Sequence, residues 1–334
     1  MTGRVFQVDD TKFLVPYTYE VSRLSEAGIT LIEGFCESPE DVVSRAVEAD
    51  VLWLSWNPHI DRAILEQLPQ CRLVIRWGIG YEQIDLEAAT DLGIAVANAP
   101  TYGTEDVAEH TLALLLALER RLVAFDGDMR RGGWSTPQAG SIRRIRGRTV
   151  GLIGVGRIGA AFARRAQGIG LEVIGHDAYR SDEEFAAIEV ERVPLDELAR
   201  RSDYVSIHVP HTPETEAMVD RAFFSKMKPS SYLINTSRGK VVNEPDLIHA
   251  LTEGVIAGAG LDVFWTEPLP ADSPLRAHPN VIITPHFAGY SADSWSDLRE
   301  EMCRTTIDFL TTGWAETIVN PGVRPRLRSV PALP

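Results

Sequence analysis

Arg238 and His286 each stand in a short stretch after an apolar run, and Glu267 stands in the loop after another. Arg238 lies in Asn235-Thr236-Ser237-Arg238-Gly239, which follows Tyr232–Asn235. Glu267 comes after Gly258–Leu261 and Asp262. His286 lies in Thr284-Pro285-His286-Phe287-Ala288-Gly289, which follows Val281–Thr284. If those runs are neighbouring parallel strands, the three residues gather at one sheet edge, where ligands bind in open α/β sheets. Arginine offers a planar fork of donors that grips a carboxylate and polarises the adjoining carbonyl. Histidine can hand a proton to the carbonyl oxygen, and a glutamate beside it favours the imidazolium and orients the ring. Such a set suits hydride transfer to a 2-oxo acid. The competing reading is a structural ion-pair set, which the joint placement of all three at strand ends disfavours.

A hydride carrier has its own signature. Gly154-Val155-Gly156-Arg157-Ile158-Gly159 fits G-x-G-x-x-G, with the apolar strand Val150–Ile153 before it and an Ala-rich helix after it. A second strand follows and ends at Asp177, which completes the dinucleotide fingerprint. Gly154 permits the tight turn, Gly156 lets backbone approach the pyrophosphate, and Gly159 lets helix and strand pack closely. The helix N-terminus supplies N–H donors to the anion. Asp177 would accept hydrogen bonds from the ribose hydroxyls and repel a 2′-phosphate, so NAD is favoured over NADP, although Arg180 lies close enough to weaken that preference. Arg157 reads evenly as a pyrophosphate contact or a solvated charge.

Other residues invite sharper readings than they carry. His208 and His211 bracket Val209-Pro210, but no acidic or Cys cluster accompanies them, so no metal is expected. His176 reads as a strand-end residue or adenine-side contact, and His110 as packing or hinge. The run Arg143–Arg148 reads as an exposed arm or inter-subunit contact rather than an anion site. Trp265 is either pocket wall or packing; for Tyr102 and Tyr290 packing is at least as good a reading as a pocket lining.

These residues need elements to hold them, and the chain supplies two series. Strand-like runs at Arg4–Val8, Lys12–Val15, Ile29–Glu33, Val51–Ser55, Leu73–Arg76 and Ile94–Ala97 alternate with helical stretches at Tyr17–Ala27, Pro39–Ala49, Asp61–Gln67 and Leu86–Leu92. A long helix is predicted over about Glu105–Leu122, with Thr104 as N-cap and acidic residues in its first turn. An irregular arm over Gly132–Arg148 leads to the second series, with strands Thr149–Ile153, Glu172–Gly175, Tyr204–His208, Tyr232–Asn235, Gly258–Leu261 and Val281–Thr284. A last helix, about Ser294–Thr311, returns to the first series, and Pro321–Pro334 reads as a loose wrap or disordered tail. Strands separated by helices imply parallel sheets. The expected division is 1–103 with 287–334 as a discontinuous substrate domain, and 104–286 as the NAD-binding domain.

Length and composition bound the remaining choices. At 334 residues the chain can bury two cores without staples. Thirty-three basic against 47 acidic residues leave a net charge of −14, which argues against nucleic acid or an anionic membrane as partner. Three scattered cysteines suggest no disulfide framework, and the longest apolar run, Leu112 to Leu118, is too short to span a bilayer. The opening residues show no signal-peptide apolar region, so a cytoplasmic location is expected.

From about Val51 to Asn320 the chain resembles the D-isomer-specific 2-hydroxyacid dehydrogenase family. The resemblance rests on Gly78-Ile79-Gly80 with Ile84-Asp85, Val107-Ala108-Glu109 opening a long helix, Gly154–Gly159, Asn235–Gly239, Leu261-Asp262-Val263-Phe264 with Glu267-Pro268, and Pro285-His286 with Gly289. It implies an α/β fold of two doubly wound parallel-sheet domains, Rossmann-like and flavodoxin-like, with a cleft between them that closes on a small 2-oxo or 2-hydroxy acid. Arg238 would bind and polarise the substrate, Glu267 would pair with His286, and His286 would be the acid/base. Backbone at Ile79 and Gly80, together with Arg76, would bind the substrate. Asp262 would hold the nicotinamide carboxamide. Thr104, Ile158, Val209, Pro210, Thr215, Thr236, Ser237 and Gly289 would complete the NAD site, and a homodimer is implied. Arg76-Trp77-Gly78-Ile79-Gly80 is similar to the stretch in phosphoglycerate dehydrogenases and in carboxy-terminal-binding-protein corepressors. The corepressors place Trp where Gly289 stands, which favours an enzyme over the alternative, an NAD(H)-sensing interaction protein. Glu82-Gln83 also departs from the family's usual Asp-Asn.

Overall fold

A computed structural model of the protein describes residues 3–9, 16–134 and 142–329. The chain divides into two compact units, Met1–Tyr102 with Ser291–Pro334, and Gly103–Tyr290.

In the first unit strands and helices alternate: β1 (Gly3–Gln7), α1 (Thr18–Ser25), β2 (Ile29–Glu33), α2 (Pro39–Ala46), β3 (Val51–Leu54), α3 (Arg62–Glu66), β4 (Leu73–Arg76), α4 (Leu86–Asp91) and β5 (Ala95–Ala97). Three of these helices, α2, α3 and α4, start where short polar side chains cap them. Ser38, Asp61 and Asp85 accept from the backbone N–H of Asp41, Ile64 and Ala88. Among the described residues the sheet has the order β2-β1-β3-β4-β5, all parallel, which is the flavodoxin-like order. Strand residues point alternately to two cores. Val51, Trp53, Leu73 and Ile75 pack on one face, and Leu52, Leu54, Val74 and Val96 on the other. The last long helix, α12 (Ala292–Thr312), covers the first of these faces. It opens with a capping box between Ser291 and Ser294, stops at Gly313 (φ +79°), and is tied to the sheet by Trp53 Nε1, which donates to Thr306 Oγ1 at 2.9 Å.

The tail beyond it is not loose as far as Ser329. The Asn320 side chain accepts from Val96 N and donates to Ile94 O, and Pro321–Arg326 forms a 3₁₀ turn with Val323 fully buried. Arg328 donates to the carbonyls of Leu68, Cys71 and Leu92. An arginine of a tail that reads as loose in sequence here satisfies carbonyls of the turns that follow α3 and α4. Residues 330–334, and the predicted strand Lys12–Val15, lie outside the described residues.

The second unit runs α5 (Thr104–Glu119), α6 (Leu122–Arg130), β6 (Thr149–Ile153), α7 (Arg157–Gly168), β7 (Glu172–His176), α8 (Asp182–Ala187), β8 (Glu191–Arg192), α9 (Leu195–Arg201), β9 (Tyr204–Ile207), α10 (Arg221–Phe224), β10 (Tyr232–Asn235), α11 (Glu244–Thr252), β11 (Gly258–Leu261) and β12 (Val281–Ile283). The order among the described residues is β12-β11-β10-β9-β6-β7-β8, again parallel. Strand order reverses between β6 and β9, so the loops after those strands splay apart there and leave the crevice in which dinucleotides bind.

Three expectations change in this unit. The helix predicted over Glu105–Leu122 ends at Glu119, and an unexpected second helix, α6, begins at Leu122 because Arg121 adopts a left-handed conformation (φ +53°) and turns the chain. Thr104 is the first helical residue and not the cap. Gly103 occupies that place without a side-chain bond. Within Arg143–Arg148 the lead residue is not an exposed arm. Arg143 Nη2 pairs with the buried Glu119 at 2.9 Å, and its guanidinium lies 5.9 and 5.8 Å from the ring centres of Tyr204 and Tyr232. The buried carboxylate requires a cation, which draws the arginine inward.

Candidate active site

The glycine loop is built as its sequence demands. Gly154 has φ +93°, and a Cβ there would stand 2.8 Å from the His208 carbonyl; at Gly159 a Cβ would stand 2.4 Å from Gly154 O. Loop, helix and the segment after β9 therefore pack backbone to backbone. A Cβ at Gly156 would meet nothing within 4 Å, so the N-terminus of α7 opens onto free space. Arg157 is exposed and Ile158 half-buried beside it. The Thr104 hydroxyl is buried and makes no hydrogen bond among the described residues. An open glycine at a helix N-terminus and an orphaned hydroxyl fit a dinucleotide.

Asp177 follows β7 with its carboxylate turned back to this loop. Oδ2 accepts from Val155 N and Oδ1 from Tyr179 N, both at 2.9 Å. Each oxygen keeps acceptor capacity for a ribose hydroxyl. Arg180 is ion-paired with Glu184 on α8.

The remaining predicted cofactor residues cross-link the loops at this edge. The Ser237 hydroxyl donates to Val209 O. Thr236 Oγ1 lies 2.8 Å from Thr111 Oγ1, and Thr215 Oγ1 donates to Pro210 O at 2.7 Å. His208 is half-buried beside Phe162, 2.9 Å from Ser206 Oγ, and burial pushes its imidazole down to about 3. It is a neutral packing group. His211 lies 3.8 Å from Glu216, and among the described residues no three His, Cys, Asp or Glu side chains cluster as metal ligands.

Arg238, Glu267 and His286 belong to the loops after β10, β11 and β12, which are neighbours in the sheet. Asn235 folds the arginine loop: its Nδ2 donates to Arg238 O and its Oδ1 accepts from Ser237 N, both at 3.0 Å. Arg238 Nη1 donates to Ser237 O at 2.7 Å. His286 Nδ1 lies 2.6 Å from Glu267 Oε2, both side chains about a third exposed, and Glu267 Oε1 accepts from Phe264 N at 2.9 Å. The carboxylate thus has one oxygen on the loop that carries it and one on the histidine, which sets the ring's tautomer.

Holding His286 there has a conformational cost. Its φ is +53°, a left-handed conformation that disfavours a non-glycine residue by roughly 1–2 kcal/mol. Asp262 offsets it. Fully buried at the end of β11, its Oδ1 accepts from Phe287 N at 3.0 Å and its Oδ2 from Ala288 N at 2.9 Å. The Thr284 hydroxyl also donates to Oδ1, and His286 N donates to Asp262 O at 2.7 Å. Asp262 was expected to hold the nicotinamide carboxamide. Here its carboxylate is the acceptor that shapes the histidine turn. His110 on α5 joins this network, with Nε2 3.0 Å from Thr284 Oγ1. Gly289 passes against the backbone of Gly103, since a Cβ on Gly103 would stand 3.1 Å from the Gly289 carbonyl.

Arg76, Ile79 and Gly80 stand in the first unit, after β4. Gly78 has φ +130° and leaves no room for a side chain against Arg76. The Ile79 carbonyl accepts from Asn98 Nδ2 at 2.7 Å, and the Arg76 guanidinium lies 4.6 Å above the Trp56 ring. The loop bearing Trp56 hangs on one residue that sequence reading missed. The buried Asp9 carboxylate accepts from the backbone N–H of Ser55, Trp56 and Asn57 at 2.7, 2.6 and 3.2 Å. Asn235 and Thr284 stand in the motifs quoted above but without a role, and Asn98 carries no motif. Their signal was local, a short polar side chain at a strand end.

Comparison with known proteins agrees with this architecture. The family described as D-isomer specific 2-hydroxyacid dehydrogenase, NAD binding domain, matches residues 112–288. A glyoxylate reductase of Korarchaeum cryptofilum is 38% identical over 92% of this chain and 97% of its own length. A chloroplastic D-3-phosphoglycerate dehydrogenase 2 of Arabidopsis thaliana is 35% identical over 94% of this chain, which spans 52% of that protein. Among solved structures, a D-lactate dehydrogenase from Aquifex aeolicus complexed with NAD and lactic acid superposes with a TM-score of 0.84 at 30% identity, covering 95% of this chain and 99% of that one. With a dinucleotide loop at the switch point of one parallel sheet, a flavodoxin-like sheet beside it in sequence, and relatives matched along nearly its whole length, the chain belongs to the D-isomer specific 2-hydroxyacid dehydrogenase family and is an NAD-dependent enzyme.

Proposed function

We propose that the enzyme interconverts a small 2-oxo acid and its D-2-hydroxy acid, with His286 as acid/base, Glu267 as its partner and Arg238 as the group that binds and polarises the substrate. The observation that carries this reading is the 2.6 Å pair between His286 Nδ1 and Glu267 Oε2. It commits Nδ1 to the carboxylate and so assigns proton transfer to Nε2. Bound NADH supplies the hydride, and bound NAD accepts it in the reverse direction. In reduction Arg238 holds the substrate carboxylate and draws charge onto the carbonyl oxygen. His286 then delivers one proton to that oxygen, leaving a neutral imidazole to be reprotonated from solvent. Ile79, Gly80 and Arg76 are assigned to the substrate's carboxylate end. Thr104, the Gly154–Gly159 loop, Asp177, Val209, Pro210, Thr215, Thr236, Ser237 and Gly289 are assigned to the cofactor.

Relatives named glyoxylate reductase are the reason to test glyoxylate first. NADH oxidation against glyoxylate, hydroxypyruvate, pyruvate, phenylpyruvate and 2-oxo-4-methylthiobutyrate tests this, with kcat/KM above about 10⁴ M⁻¹s⁻¹ expected for one of them. His286→Ala is expected to lower kcat at least about a hundredfold while NADH affinity holds. Near-wild-type turnover would remove the assignment.

We also place the protein in the cytoplasm as a homodimer. Three free, buried cysteines fit a reducing compartment, which cell fractionation tests. Helix α6 buries none of its residues and exposes Leu122, Val123 and Met129, an apolar face suited to a second copy. Light scattering at twice 36.9 kDa is the expected result.

A further inference from the structure

We propose that Trp265 and Glu244 form a positioning clamp that keeps the Glu267 loop in register with the Arg238 loop; the inference rests on the catalytic roles proposed above for Arg238, Glu267 and His286. Glu267 lies in an irregular loop well past the end of β11 at Leu261, so sheet hydrogen bonds do not reach it. Arg238 closes the loop after β10 and leads into a 3₁₀ turn, Gly239–Val241, and then into α11. Nothing in strand pairing alone sets the distance between these two loops.

Three contacts do so. A Cβ on Gly239 would fall 2.0 Å from the carbonyl carbon and oxygen of Phe264, so the residue after Arg238 lies flush against the Glu267 loop. Trp265 Nε1 donates to Val242 O at 2.5 Å, and Trp265 N donates to Glu244 Oε2 at 3.1 Å. One residue of the Glu267 loop is therefore pinned twice, through side chain and through backbone, to the segment that directly follows Arg238. That segment is itself stiff. Asn243 caps α11, and Asn243 N donates to Val219 O at 2.9 Å. The neighbouring Phe264 N fixes Glu267 Oε1, so the constraint passes from Val242 through Trp265 and Phe264 to the carboxylate, and from its Oε2 to His286. Two alternatives stood for Trp265, pocket wall and packing. The indole's donor role goes beyond both.

The clamp acts through Glu267, so its loss should weaken proton delivery and leave cofactor binding alone. Trp265→Phe keeps an aromatic ring and removes the N–H that reaches Val242 O together with part of the indole, so the Glu244 variants, which leave the ring intact, separate the hydrogen bonds from lost bulk. One hydrogen bond of ordinary net strength corresponds to about a fivefold effect. The expected result is a fall in kcat of about fivefold, NADH affinity within twofold, and an alkaline fall in the reduction rate that moves to lower pH. Glu244→Ala should do the same. Glu244→Gln, whose amide oxygen still accepts from Trp265 N, should stay near wild type. A readout independent of turnover is the far-downfield proton resonance expected of the short His286–Glu267 hydrogen bond, seen in wild type and lost or moved upfield in Trp265→Phe and Glu244→Ala. Unchanged resonance, pH profile and kcat in both variants would overturn the clamp, as would equal losses in Glu244→Gln and Glu244→Ala. If wild type turns over no 2-oxo acid, the proposed function fails, and the resonance still decides the clamp.

Discussion

Replacing Asp262 by Asn tests the inference that this buried residue shapes the turn carrying His286. The carboxylate accepts from Phe287 N, Ala288 N and the Thr284 hydroxyl. An asparagine offers one carbonyl oxygen, and its NH₂ would face a backbone donor across about the same 2.9 Å that now separates Oδ2 from Ala288 N. At least one charge-assisted bond is lost, worth about 1.5–3 kcal/mol. His286 relies on those bonds to stay at φ +53°, so the cost falls on the active geometry of the turn. At about 1.4 kcal/mol per decade, kcat should fall roughly 10- to 100-fold. Steady-state kinetics with the best 2-oxo acid and fluorescence titration of NADH together discriminate. A fall in kcat with NADH affinity held within about threefold supports the turn-shaping role. A kcat within twofold of wild type would refute it. Loss of NADH affinity with kcat preserved would restore the role first expected of Asp262, contact with the nicotinamide carboxamide.

Three further outcomes follow from the geometry. His208 is neutral in the fold down to about pH 3 but takes a proton near 6.5 when unfolded, so it withdraws stability as pH falls between those values, by about 2 kcal/mol at pH 5. Urea unfolding of wild type and His208→Gln at pH 7 and 5 should show a smaller pH effect in the variant, and parallel losses would count against the buried neutral imidazole. Gly156 has φ −64°, allowed for alanine, and open space around it, so Gly156→Ala should leave the melting temperature within a few degrees while weakening NADH binding at least about tenfold. Asp177→Ala should weaken NAD and narrow its advantage over NADP in calorimetric titration, and an unchanged preference would remove the ribose role.

Fold class and the reactive trio were legible because each rests on a local rule. Apolar runs of strand length, glycines where α4 and α12 stop, and capping residues before α2, α3 and α4 are short-range signals. G-x-G-x-x-G and its trailing acid name backbone approaches that only glycine tolerates. The reading was thinnest between β7 and β9, where α8, β8 and α9 were not recognised. The capping box of Ser181 and Glu184 was present, but these elements are too short to show a period.

What only tertiary structure decided were the assignments that depend on partners distant in sequence. Arg143 reads as an exposed cation until the buried Glu119 is found beneath it, and the proline-rich tail reads as loose until Arg328 meets the carbonyls of Leu68 and Cys71. Asp9 gave no sign in the sequence that it would hold the Trp56 loop by three backbone donors. The glycine loop could be read from residue types alone, since backbone sterics are local. The duty of a buried carboxylate such as Asp262 could not, because burial obliges a charged group to find donors, and which donors are near is a property of the folded chain.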